Sequence, residues 1–73
     1  MPAKTTDFAT RLRLALAGHN RQAVCDKVGK SLRAMTGWLN GSNQPLASTV
    51  ADLARVLGVS GDWLLGLSRR RKP

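Results

Sequence analysis

The chain is poor in the groups that most enzymes use. Its 73 residues include one cysteine, one histidine and four acidic residues, all aspartate. A single Cys25 rules out an intramolecular disulfide, argues against a thiolate metal site, and suits a reducing compartment. Cys25 and His19 are the only candidates for a nucleophile and a base. No paired carboxylates or third orienting group accompany them, so no catalytic residue, metal or cofactor is expected. Long apolar runs are missing as well. Met1–Asp7 lacks the apolar core of a signal peptide and no window reaches the length of a membrane span, so a cytoplasmic or nucleoid location is expected, without membrane or small-molecule partners.

What is present in excess is positive charge. Twelve Lys and Arg against the four acidic residues give a formal net charge of +8. So basic a balance in so small a chain points to a polyanionic partner, although a merely solvated basic surface is the plainer alternative. The length allows one domain with a small core.

The apolar pattern is helical throughout. Phe8, Leu12, Ala15 and Leu16 form a stripe within Asp7–Ala17, with Thr5 or Thr6 as the expected cap, Asp7 in the first turn and Gly18 as the stop. Asn20 caps a second helix carrying Val24, Cys25 and Val28 up to Gly29. Ser31 caps a third, with Leu32, Met35, Trp38 and Leu39, which ends at Asn40-Gly41. Gly41–Pro45 is dense in turn formers. From Ala47 to Gly58 the residues Val50, Leu53, Ala54 and Leu57 repeat at helical spacing. Ser60 then caps a last short helix holding Trp63, Leu64 and Leu67. The expected organisation is a flexible arm over 1–5, a domain over 6–67 and a basic flexible tail over 68–73, where Arg69–Lys72 has nothing to bury.

Two short helices joined at Gly29 describe many helical hairpins, but the detail between Arg21 and Asn40 is more specific. Cys25 is small where the two helices approach most closely, and Val24, Val28, Met35 and Trp38 are apolar where they must pack. One face of the second helix is left outside the core, of a size to enter a DNA major groove. The run AVCDKVGKSLRAMTGWLNG from Ala23 to Gly41, the Pro45 loop and DLARVLGVSGDWLLG from Asp52 to Gly66 together resemble the lambda repressor and Cro-like helix-turn-helix family. The resemblance extends from about Asp7 to Leu67 and is greatest to phage repressor amino-terminal domains. It implies an all-α, compact five-helix domain whose second and third helices form the helix-turn-helix, and a transcriptional regulator that binds operator DNA; because one small module contacts too little DNA for high affinity, a homodimer is expected.

On that resemblance the stretch Ser31–Asn40 is the recognition helix. Leu32, Arg33 and Thr36 then face base edges, with Gly37 on the same face permitting close approach and Asn43 reaching a base or phosphate from the following loop. Asn20, Arg21, Ser31 and Asn40 are the implied phosphate contacts. Arg33 suits guanine, while Leu32 and the Thr36 methyl suit thymine methyl groups; Leu32 serves equally well as core cover. Many members carry glutamine where this chain has Arg21 and Leu32, so their operators do not transfer. Lys4 and Arg69–Lys72 either track phosphates or are solvated tails. Trp63, Leu64 and Leu67 make up the expected dimer face, with packing inside the domain as the alternative. A protein-interaction module such as an antitoxin or anti-repressor, and sequence-independent nucleic-acid binding, are the competing functions.

Overall fold

The computed structural model describes residues 3–73, with side chains described from Phe8 onward. Five helices follow one another: α1 (Ala3–Leu16), α2 (Arg21–Val28), α3 (Leu32–Asn40), α4 (Ala47–Leu57) and α5 (Gly61–Leu64). No strand occurs among the described residues. None of the helices there is long and apolar enough to cross a membrane.

The helix limits follow from local chemistry. The Asn20 side chain accepts from the Ala23 N–H, the Ser31 hydroxyl from Ala34 and the Ser60 hydroxyl from Trp63, each satisfying an amide that has no partner inside its helix. At the other end, Gly29 closes α2 with a φ of 71°. There the Gly29 N–H donates to Asp26 O and the Lys30 N–H to Cys25 O, a paired closure that needs a left-handed residue and therefore favours glycine. Only Gly29, Lys30 and Ser31 lie between α2 and α3.

The first helix departs from expectation. It starts at Ala3, which puts Thr5 and Thr6 inside the helix and Asp7 beyond its first turn. Residues 3–5 of the expected arm are thus helical. Ala and Lys are good helix formers, and no breaker stands between them and Phe8. Met1, Pro2 and the side chain of Lys4 lie outside what the structure describes.

The core gathers one stripe from each helix. Phe8, Leu12, Ala15 and Leu16 meet Val24, Cys25 and Val28, then Met35, Trp38 and Leu39, and Val50, Leu53, Ala54 and Leu57 with Val59, Trp63 and Leu64. α1 packs on α3 and α5, while α2 packs on α3 and α4. Leu12, Cys25, Met35, Leu53 and Leu64 are fully buried at its centre.

The tail also departs from expectation. The carbonyl of Arg71 accepts from the Ser60 N–H at 2.7 Å, and its guanidinium lies 5.1 Å from the centre of the Trp63 ring and donates to Leu14 O. Arg11 stands 5.3 Å from the same ring and donates to the carbonyls of Trp63 and Ser68. Two guanidiniums held at an indole, where ring quadrupole and cation attract, tie the chain end to α1 and α5.

Candidate nucleic-acid interface

α3 is held by its inner face. Met35, Trp38 and Leu39 are buried, and Arg13 of α1 donates to Leu39 O at 3.0 Å, tethering a carbonyl of the last helical turn. An arginine off the apolar stripe reads as a solvated charge until the fold brings a helix end beside it. From α2, the Cys25 thiol contacts Met35 Sδ at 3.9 Å. Burial, and then the neighbouring Asp26 carboxylate, push the Cys25 thiol above its ordinary value. It therefore stays a neutral packing group, as its inward position predicts. His19 is exposed in the α1–α2 connection.

With about 100° between successive residues, Arg33, Gly37 and Asn40 lie opposite Met35, with Thr36 beside them and Leu32 nearer the buried side, about 60° from Met35. Arg33, Thr36 and Asn40 are exposed, and Arg33 forms no ion pair among the described residues. Leu32 is 43% exposed beside the buried Leu39, at the rim between the core side and the open face. The Thr36 hydroxyl donates to Leu32 O at 3.0 Å, so its polar end is engaged and its methyl is the part left for apolar contact.

Gly37 does not follow the expected pattern. Although it points away from the core, it is buried, because the loop after α3 folds over it. Its carbonyl accepts from the Ser42 N–H, the Asn43 N–H and the Ser42 hydroxyl at 3.1, 3.2 and 3.3 Å. A Cβ at position 37 would stand 2.7 Å from Asn43 Nδ2. The missing side chain therefore makes room for Asn43. Sequence reasoning could see the glycine, but not that a residue six positions later would occupy its place.

The remaining expected residues are divided by the fold. Asn20, Arg21, Ser31 and Asn40 are all exposed, and the capping bonds of Asn20 and Ser31 use only an acceptor oxygen of each. The Asn20 amide nitrogen and the Ser31 hydroxyl proton are thus still donors available to a ligand. Arg21, Lys27, Lys30 and Arg33 are exposed across α2, the turn and α3, against Asp26 alone. Among the described residues the one ion pair, Arg55 with Asp52, lies elsewhere on α4, so this positive field is left uncompensated. The expected dimer face needs correction: Trp63 and Leu64 are buried inside the domain, and α5 ends at Leu64, leaving Leu67 outside the helix and 73% exposed. A four-residue helix has to spend both large side chains on its own anchoring.

No curated protein and no solved structure matches the chain. A helix-turn-helix family model matches residues 11–64, most of the chain and all of α2 to α5. A capped α2, a three-residue turn and an α3 that carries exposed Arg33, Thr36 and Asn40 away from the core make up a helix-turn-helix in three dimensions. The chain belongs to the Cro/C1-type helix-turn-helix family of DNA-binding regulators.

Proposed function

We propose that the protein is a sequence-specific transcriptional regulator of the phage or prophage repressor/Cro-like kind, binding operator DNA as a homodimer. The observation that carries this reading is the open face of α3, with exposed Leu32, Arg33 and Thr36 in its first half and an Arg33 that has no acidic partner among the described residues. Helices of this motif read base edges with their N-terminal residues, which is where these three stand. Arg33 donates two hydrogen bonds to guanine, and Leu32 and the Thr36 methyl meet thymine methyl groups. Asn20, Arg21, Ser31 and Asn40 hold phosphates and set the register.

A single module of this size buries only about 600–1,000 Å² on DNA, which favours two copies on half-sites roughly one helical turn apart. With Trp63 and Leu64 spent on the core, Leu67 and the half-exposed Leu65 are the apolar groups near α5 left for a second copy. The test is selection of bound duplexes from a random pool, followed by titration at several salt concentrations. An enriched, roughly two-fold symmetric motif is the expected result. Binding that is steeply salt-dependent but enriches no motif would replace this reading with sequence-independent nucleic-acid binding.

A further inference from the structure

We infer that Gly37 is a positioning residue, a notch in the recognition helix that holds Asn43 against it and makes that loop residue part of the base-reading surface. The inference rests on the proposed sequence-specific function and extends it to a group outside α3. Arg33, Thr36, Gly37 and Asn40 follow one another at helical spacing along one face, and at Gly37 that face has no side chain of its own. The Asn43 side chain supplies one: its Nδ2 is 2.7 Å, its Cβ 3.4 Å and its Cγ 3.5 Å from the place a Cβ of residue 37 would occupy. Three hydrogen bonds from Ser42 and Asn43 to the Gly37 carbonyl pin the loop backbone at the same point. Asn43 itself is exposed. Its amide therefore lies on the outer face of α3 one turn beyond Arg33, with a donor and an acceptor side by side, the pair of groups that suits adenine in the major groove.

Gly37→Ala separates this role from a structural one. The atom nearest the added methyl is the far end of a flexible side chain, so the amide has to move while the helix, which gains alanine in place of glycine, keeps its stability. The experiment compares the parent, Gly37→Ala, Asn43→Ala, the double variant and Arg33→Ala by selection from a random duplex pool, with thermal melts of each protein. Gly37→Ala is expected to melt no lower than the parent yet to lose about fivefold or more of its discrimination at one base position. Asn43→Ala should relax that same position, the double variant should be no worse than either single one, and Arg33→Ala should relax a neighbouring position. Parent-like selection by Gly37→Ala, or effects of the two single changes that multiply in the double variant, overturns the inference while leaving the function standing. A parent that enriches no motif overturns both.

Discussion

Ser31 joins the fold to DNA binding most directly, and three substitutions separate its two roles. Its hydroxyl accepts from the Ala34 N–H at 3.1 Å, which satisfies one of the amides at the start of α3. Ser31→Ala removes that acceptor and should cost about 1 kcal/mol, which in a domain of this size lowers the melting temperature by roughly 4–8 °C. Ser31→Gly should recover most of the loss, since glycine at a cap is only a few tenths of a kcal/mol worse than serine. Ser31→Asp caps as well as serine, so its melt should match the parent, but it places a carboxylate where a phosphate is proposed to lie. Two like charges about 4 Å apart repel by about 1 kcal/mol in a water-like medium, and by more as the interface excludes solvent. Duplex affinity should therefore fall at least about fivefold with stability intact. The assays are circular-dichroism melts and fluorescence-anisotropy titrations of a labelled duplex. A Ser31→Ala protein that melts with the parent refutes the capping argument. A Ser31→Asp protein that binds DNA as tightly as serine refutes the phosphate contact.

The other expectations concern the open face, the chain end and the buried thiol. Arg33→Ala should lose about 1–3 kcal/mol of discrimination at a single base position, whereas Arg21→Ala should weaken all duplexes alike and lower the log–log salt slope by about 1; equal effects on all sequences from both changes would show that Arg33 reads no base. Leu64→Ala removes a fully buried side chain and should destabilise by about 2–5 kcal/mol in chemical denaturation, while Leu67→Ala should leave the melt unchanged and weaken self-association in sedimentation. Identical oligomeric states for the parent and Leu67→Ala would move the dimer face elsewhere. The Cys25 thiol is held above its ordinary value in the folded state, so the folded protein keeps a proton that the unfolded chain releases. The stabilisation is complete below the ordinary thiol range and declines as pH rises beyond about 8.5, and the decline should be shallower in Cys25→Ala when unfolding is followed against pH. Parallel pH profiles would mean that the thiol contributes nothing to it.

Much of this protein is legible locally. The caps at Asn20, Ser31 and Ser60, the glycine closures at Gly29, Gly41 and Gly58, and the stripes that become the core all depend on residues within one turn of each other. Neighbours at i+3 and i+4 suffice to specify them. The open face of α3 follows from the same periodicity, because Met35, Trp38 and Leu39 claim the opposite side. Thr5 and Thr6 look like caps, yet α1 begins at Ala3, since neither Ala3 nor Lys4 interrupts a helix.

What tertiary structure alone decided are the contacts between residues far apart in the chain and the roles of groups with two plausible places to go. Arg13 reaches the end of α3 and Arg11 and Arg71 close on Trp63 only because α1 lies against α3 and α5. The same packing decided that Trp63 and Leu64 are core and Leu67 is surface. At Gly37 the helical period by itself predicts an open notch facing DNA, and the return of the loop fills that notch with Asn43. Periodicity tells which side of a helix faces out; what covers that side depends on where the rest of the chain comes back to.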